Sequence, residues 1–338
     1  MNTLDNKIKK KIQKHINLTI ENSLILKTKD KTNLEIIDGN IKVFINLGLV
    51  NNIRRINKFH ELVNNKLNSG NFYISCSEIL EERRKRVWQK VPLGLKSIVR
   101  FIDFIYKRVF PKIPIIKKIY FLISRGHNRV ISKAETLGRL VSCGFDVVEY
   151  FEYKNLFYVI SKRVKKPDYN LSPSYSAIFK MSRVGYKGKM IGVYKLRTMY
   201  PYSEYLQKLI IKENKLAKSG KINNDYRITS WGKVCRKFWI DELPMIINLL
   251  KGELNIVGVR PISRDYFDRY PEEIQKIRIK TKPGLIPPYY ADLPKSFLEI
   301  VESEKTYIES KFKKPVLTDI LYFKRAFVNI VFKRARSN

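Results

Sequence analysis

Asp241 and Glu242, followed by Leu243-Pro244, are the residues of this sequence best suited to doing chemistry. Met245 to Leu250 is apolar and helix-prone until Gly252, and proline is tolerated in the first turn of a helix. The acidic pair is therefore expected at a helix N-terminus, where free amides and the positive dipole end favour anions such as a phosphate. Consecutive helical side chains diverge by about 100°, so two adjacent carboxylates can take two roles around one phosphate. The plain alternative is that Asp241 caps the helix and Glu242 complements its dipole. Arg197, Arg227, Arg236 and Arg260 are the candidates for gripping phosphate or nucleotide, because a guanidinium matches phosphate oxygens two at a time. Taken singly, each could be an ordinary surface or ion-paired arginine in so basic a chain. Asp225 could pair with one of them or approach a metal.

The chain has 338 residues and a formal charge of +36, from 67 Lys and Arg against 31 Asp and Glu. Such an excess attracts polyanions: nucleic acid, anionic lipid headgroups or phosphorylated substrates. Cys76, Cys143 and Cys235 are far apart, which is no disulfide framework and suits a reducing compartment. With only His15, His60 and His127 besides, no zinc set is expected. Ile8, Ile12 and Ile16 form one helical stripe among lysines, with no apolar stretch after them, so a secretory signal is not expected. Nor is there an uninterrupted apolar run of about 18 residues, which argues against a conventional spanning helix. The chain is expected to stay on the cytoplasmic side.

The elements that must position the acidic pair read as an α/β protein. Strands are expected at Ser23–Leu26, Leu34–Ile37 and Ile41–Ile45, with a turn at Asp38-Gly39. A helix follows on Ile53, Ile56, Phe59, Val63 and Leu67, then a strand at Phe72–Ile74. No G-x-G-x-x-G occurs there, so a dinucleotide site is not supported. From Arg83 to Arg125 apolar and basic residues alternate on a helical period, with Ile98, Phe101, Ile102 and Ile105 on one face. That pattern fits a helix lying in an anionic headgroup layer, or equally one packed on the core with a solvated basic face. Ser132 and Glu135 form a capping box, and Phe145–Val148 with Leu156–Ile160 reads as a hairpin. Gly185 and Gly188 flank a hairpin turn. Thr318-Asp319 is the expected cap of a C-terminal helix of about 13 residues, too short to span. The division that results is a small α/β accessory region at 1–81, a basic amphipathic interface segment with a helix and hairpin at 82–165, and a compact mixed catalytic domain at 166–338.

Around the acidic pair stand Arg183-Val-Gly-Tyr-Lys-Gly-Lys189, Tyr194-Lys-Leu-Arg-Thr-Met199, Asp225-Tyr-Arg-Ile-Thr229 and Arg236-Lys-Phe-Trp-Ile-Asp-Glu-Leu-Pro244. Asn248-Leu-Leu-Lys-Gly-Glu253, Ile256-Val-Gly-Val-Arg-Pro261 and Lys282-Pro-Gly284 follow. In this order, from about Ser172 to the end, the chain resembles the bacterial sugar transferase family, the monotopic polyprenyl-phosphate phosphoglycosyl transferases. The resemblance implies transfer of a sugar-1-phosphate from a nucleotide sugar, UDP being the expected nucleotide, to a polyprenyl phosphate in polysaccharide or glycoconjugate synthesis. It also implies that Asp241 forms a phosphosugar-aspartyl intermediate and that Glu242 holds Mg²⁺. An aspartate attacking a diphosphate brings an anion to an anion, so cations must neutralise the developing charge. Mg²⁺ typically takes one or two protein carboxylates plus substrate phosphates, which this pair can supply.

Two departures from the family stand out. Its apolar re-entrant helix normally precedes the block at Arg183, where this chain has the polar Lys165–Ser174. Attachment to an anionic membrane surface is thereby displaced to residues 98 to 123, to the C-terminal helix, or to a membrane-protein partner. After Pro283-Gly284 the chain carries Leu285-Ile-Pro-Pro-Tyr-Tyr-Ala-Asp292 in place of the family's polar stretch. The competing readings are a basic nucleic-acid-binding protein and an inactive scaffold homologue. The basic residues are dispersed and form no recognisable nucleic-acid motif, so no nucleic-acid partner is expected.

Overall fold

A computed structural model describes residues 4–16, 19, 22–37, 40–125, 127, 129–169, 176–213 and 225–332. The turn read at Asp38-Gly39, residues 170–174 of the polar linker, and the terminal cations Lys333 and Arg334 lie outside the described residues. The chain divides into two compact units: residues 1–175 with 199–227, and residues 176–198 with 228–338.

The first unit is built on a five-stranded sheet, in the order β1-β2-β3-β5-β4. The strands are β1 (Ser23–Leu26), β2 (Val43–Leu49), β3 (Phe72–Ser77), β4 (Phe145–Tyr153) and β5 (Leu156–Arg163). The first three run parallel; β5 pairs antiparallel with both β3 and β4. Helix α1 (Asn6–Gln13) sends Ile8 and Ile12 against Val43, Ile45 and Ile74 on one face. Helices α2 (Ile56–Lys66) and α6 (Lys133–Ser142) bury Phe59, Val63, Leu137 and Leu140 with Phe44 and Tyr73 on the other. Between them come α3 (Leu80–Lys90), α4 (Lys96–Phe104), a π-turn at Ile105–Val109 and α5 (Pro114–Ser124). Ser132 caps α6, its Oγ accepting from the Glu135 amide at 3.1 Å, while the Glu135 carboxylate pairs with Arg139.

The expected strand at Leu34–Ile37 is instead a 3₁₀ turn at Thr32–Leu34, with Leu34 and Ile37 both in the core. Burial of two apolar residues three apart suits a tight helical turn, and a four-residue window cannot separate that from a strand. The boundary drawn between residues 81 and 82 does not separate compact units, because β5 completes the sheet begun by β1 to β3. Residues 199–227 also join this unit, where α7 (Gln207–Glu213) and the turn before it bury Leu206 and Ile210 in the same core.

The second unit opens with the antiparallel hairpin β6 (Ile178–Val184) and β7 (Met190–Leu196), whose turn places Lys187 and Gly188 at φ 55° and 73°. Helix α8 (Ser230–Lys237) leads to a 3₁₀ helix at Ile240–Met245 and then α9 (Ile246–Leu250). Strand β8 (Asn255–Val257) is followed by α10 (Arg264–Phe267) and α11 (Glu272–Arg278), and pairs in parallel with β9 (Gly284–Ile286). A Cβ on Gly284 would lie 2.1 Å from the Gly258 amide nitrogen, so the close approach of these two motif blocks requires glycine. Helices α12 (Tyr289–Asp292), α13 (Phe297–Lys313) and α14 (Pro315–Val331) complete the unit, burying Tyr290, Tyr307, Ile308 and Tyr322 with Val257 and Val259.

Helix α14 starts at Pro315, earlier than expected, and runs for 17 residues. Thr318 sits inside the helix and donates to the Ser310 carbonyl, and Asp319 accepts from Tyr307 and Lys311. Proline at the first helical position supplies the start that Thr318-Asp319 was expected to provide. No helix among the described residues is long and apolar enough to cross a membrane.

Candidate active site

The motif blocks converge at the end of β7. The Thr198 carbonyl accepts from both the amide and the hydroxyl of Thr229, each at 2.9 Å, while Thr229 Oγ1 caps α8 through the Gly232 amide. A side chain on Gly232 would strike the Thr198 carbonyl oxygen, so glycine lets α8 lie against the strand end. Arg236 donates from Nε to Thr198 Oγ1 at 2.9 Å. On the other side, buried Asn248 accepts from the Tyr194 amide and donates to the Gly192 carbonyl and to Glu253. These bonds fasten both flanks of the Asp241 segment to β7.

The residue at the cap of that segment is Trp239, in the left-handed conformation at φ 60°, with Asp241 and Glu242 in the first turn. Trp239 packs on Tyr290 with ring centroids 4.4 Å apart. Asp241 is half-buried and makes no ion pair among the described residues. Burial, and then the charge of Glu242, raise its pKa above the ordinary carboxylate range; Lys195, Arg236 and its own amide pull it back. Glu242 is bound by Lys195 Nζ at 2.6 Å. The two carboxylates are thus unlike: Glu242 is paired with a lysine, whereas Asp241 has no ion pair among the described residues and a raised pKa.

Arg260 follows β8. It is half-buried, and its guanidinium lies over the Tyr289 ring at 5.7 Å. Burial works against its charge, but Tyr289, Tyr290 and Glu242 nearby outweigh that, and the net shift is upward. Arg183, on β6, is held below the usual guanidinium range by burial and then by Arg260. Its hydrogen bonds go to the Ser182 carbonyl and Met181 Sδ. Neither arginine has a carboxylate within ion-pair distance among the described residues. Beneath them Arg278 donates to the Arg260 carbonyl at 2.7 Å and pairs with buried Glu304. Burial pulls the Arg278 pKa down to about 10.

Of the residues singled out from the sequence, Asp241, Glu242, Arg236 and Arg260 belong to one neighbourhood. Arg197 stacks on Phe179 at 4.9 Å and donates to the Ser176 carbonyl at 2.9 Å, bracing the hairpin's open end. Arg227 belongs to the other compact unit, buried with its guanidinium on Asp225 at 2.7 Å and Gln207 at 2.6 Å. Asp225, expected to pair with one of the arginines or to approach a metal, pairs with Arg227. Lys195 and Arg183 were not singled out. Lys195 could have been found from strand alternation with Arg197, but Arg183 had no signal beyond its block.

No group of three or more His, Cys, Asp or Glu that could hold a metal occurs among the described residues. Asp241 and Glu242 are two adjacent carboxylate donors, of which Glu242 is bound by Lys195.

Residues 167–332 match the bacterial sugar transferase family, and that part of the chain belongs to the family. It is 40% identical over 110 residues to galactosyl transferase CpsE of Streptococcus agalactiae, covering 32% of this chain and 24% of that protein. It is 38% identical over 114 residues to the undecaprenyl-phosphate galactose phosphotransferase of Salmonella typhimurium, with the same coverage of each. To the exopolysaccharide production protein ExoY of Rhizobium meliloti it is 29% identical over 158 residues, covering 44% of this chain and 67% of the relative. The chain thus spans about a quarter of the length of the first two relatives.

Proposed function

We propose that the second unit transfers a sugar-1-phosphate from a UDP-sugar to a polyprenyl phosphate, with Asp241 as nucleophile, at the cytoplasmic face of a bacterial membrane. The observation that carries this reading is a carboxylate without an ion-pair partner in the same neighbourhood as two arginines that also lack one. The names of the relatives, two of which specify undecaprenyl-phosphate sugar phosphotransferases or galactosyl transfer, support the reaction class.

In the first step an Asp241 oxygen attacks the sugar-bearing phosphorus. The bond from that phosphorus to the oxygen of the nucleoside monophosphate breaks, and the monophosphate leaves with the electron pair. In the second step a polyprenyl phosphate oxygen attacks the same phosphorus, the bond to Asp241 breaks, and the carboxylate is restored. Arg260 and Arg183 hold the non-bridging phosphate oxygens, whose charge must be matched in place for one anion to attack another. Glu242 would hold Mg²⁺, which supplies further charge neutralisation at the diphosphate. Lys195 keeps Glu242 oriented and lowers the pKa of Asp241.

The test is incubation with a panel of UDP-sugars, Mg²⁺ and short polyprenyl phosphates, with UMP release as the readout. Labelled sugar-phosphate should become covalently attached to the wild-type chain and not to Asp241→Asn. Turnover that survives this substitution unchanged would refute the nucleophile, and no UMP from the wild-type chain would support the inactive scaffold.

A further inference from the structure

The first unit carries a surface that the sugar-transfer reading leaves unused. In α5 the side chains Ile115, Ile119, Leu122 and Ile123 are 78%, 55%, 79% and 67% exposed. At about 100° per residue they fall within one arc of roughly 100°. Helix α4 repeats the pattern with Ile98, Phe101 and Ile102, all more than half exposed. The opposite sides of these elements are packed. Tyr120 is buried against Tyr106 at 5.4 Å, and Phe121 lies under the guanidinium groups of Arg54 and Arg129. Asp103 on α4 is tied to Arg83 at 2.8 Å, and Arg83 also reaches Glu78. The helices are therefore held in place while their apolar stripes face outward, which ordinary surface helices do not do.

Charge identifies what covers the stripes. Residues 91–125 contain eight cations, namely Lys96, Arg100, Lys107, Arg108, Lys112, Lys117, Lys118 and Arg125, and one acid, Asp103. That acid is already paired with Arg83. Lys117, Lys118 and Arg125 are exposed beside or beyond the apolar stripe of α5. A second copy of this chain would bring like charge against like charge. An anionic bilayer surface satisfies both features: acyl chains for the stripes and phosphate headgroups for the flanking cations. Eleven residues of helix measure about 16 Å, against roughly 30 Å of hydrocarbon, so α5 lies along the surface and does not cross it.

We infer that α4 and α5 form an in-plane anchor on an anionic membrane, in the unit that does not carry Asp241. Binding does not depend on sugar transfer, and Asp241→Asn should leave it intact, so failure of one reading is distinguishable from failure of the other.

The experiment is flotation of the full-length chain with phosphatidylcholine vesicles, with and without phosphatidylglycerol. The wild-type chain should float with the anionic vesicles. Ile119→Asp/Leu122→Asp should lower the partition coefficient by at least about tenfold. Lys117→Gln/Lys118→Gln should lower it by about tenfold on anionic vesicles and little on neutral ones. Both doubles change exposed side chains, so the far-ultraviolet spectrum and melting temperature should hold. If the aspartate double misfolds, the glutamine double, which alters only exposed cations, still decides. Unchanged flotation of either folded double overturns the inference. So does a fall from dimer to monomer in sedimentation caused by the aspartate double without loss of vesicle binding, which would mark the stripes as a self-association face.

Discussion

The fully buried arginines of the first compact unit and the half-buried pair near Asp241 are balanced differently. In the first, Arg83 meets Glu78 and Asp103, Arg139 meets Glu135 at 2.8 Å, and Arg227 meets Asp225. Every one of these guanidinium groups has a carboxylate. In the second unit, Arg278 follows the same rule with Glu304, but Arg183 and Arg260 stand partly desolvated with no acidic partner among the described residues and repel one another. Removing a cation from water without a counter-charge costs free energy, and a folded protein retains such an arrangement where an anion is to be supplied from outside. On the proposed function, the difference separates arginines that hold the fold from arginines placed for an anionic substrate.

The largest expected effect is at Asp241. Replacement by Asn should reduce UMP release by roughly 10³-fold or more. The same variant should melt at a slightly higher temperature near neutral pH. Because the folded-state pKa of Asp241 is raised, its contribution to stability is present at low pH and lost as pH rises through that pKa, and Asn removes the loss.

Next comes the contrast between the two kinds of arginine. Arg260→Ala should lower kcat/KM by about 10²–10³-fold while leaving thermal stability unchanged or improved. Arg278→Met should do the reverse, destabilising by about 3–5 kcal/mol because Glu304 is left buried and unpaired. Arg278→Met/Glu304→Leu should recover much of that loss. Equal stability losses for Arg260→Ala and Arg278→Met in parallel melting curves would erase the distinction.

A smaller effect concerns pH. The first half-reaction needs ionised Asp241, so its rate should fall on acidification with a midpoint above the usual carboxylate value of about 3.9. Lys195→Met removes a cation that lowers this pKa and should move the acid limb further up in a pH–rate profile. The smallest effect belongs to a surface pair. Arg325 contacts Asp292 at 3.0 Å with its side chain 57% exposed, and Arg325→Met should change stability by less than about 1 kcal/mol. A larger loss in chemical denaturation would show that exposure does not sort these arginines as argued.

Much of the fold was legible because it rests on local patterns. The hairpin at Phe145–Arg163, the Ser132 cap and the amphipathic α2 follow from alternation, capping chemistry and helical period, all short-range properties. Leu34–Ile37 was misread because a 3₁₀ turn and a short strand both bury apolar residues over so few positions. The cap of the last helix was placed at Thr318, four residues after the observed cap Lys314, because two start signals compete there and Pro315 takes the first helical position. Asp241, Glu242, Arg236 and Arg260, read from their blocks, lie in one neighbourhood, whereas Arg227, also read from its block, lies in the first unit paired with Asp225. Excursions of the chain between units leave no mark on residue spacing.

By itself the sequence determined the charge, the acidic pair ahead of an apolar helix, the family, and the amphipathic stretches, since these depend on residue type and on separations of a few positions. Only the tertiary structure decided which arginines are satisfied. Arg139 and Arg227 find carboxylates four and two positions away, but the pairings of Arg83 with Asp103 and of Arg278 with Glu304 reach across 20 and 26 positions. The same long-range packing left Asp241 without a counter-ion and turned the stripes of α4 and α5 outward, because only the assembled unit defines which helix face is already covered.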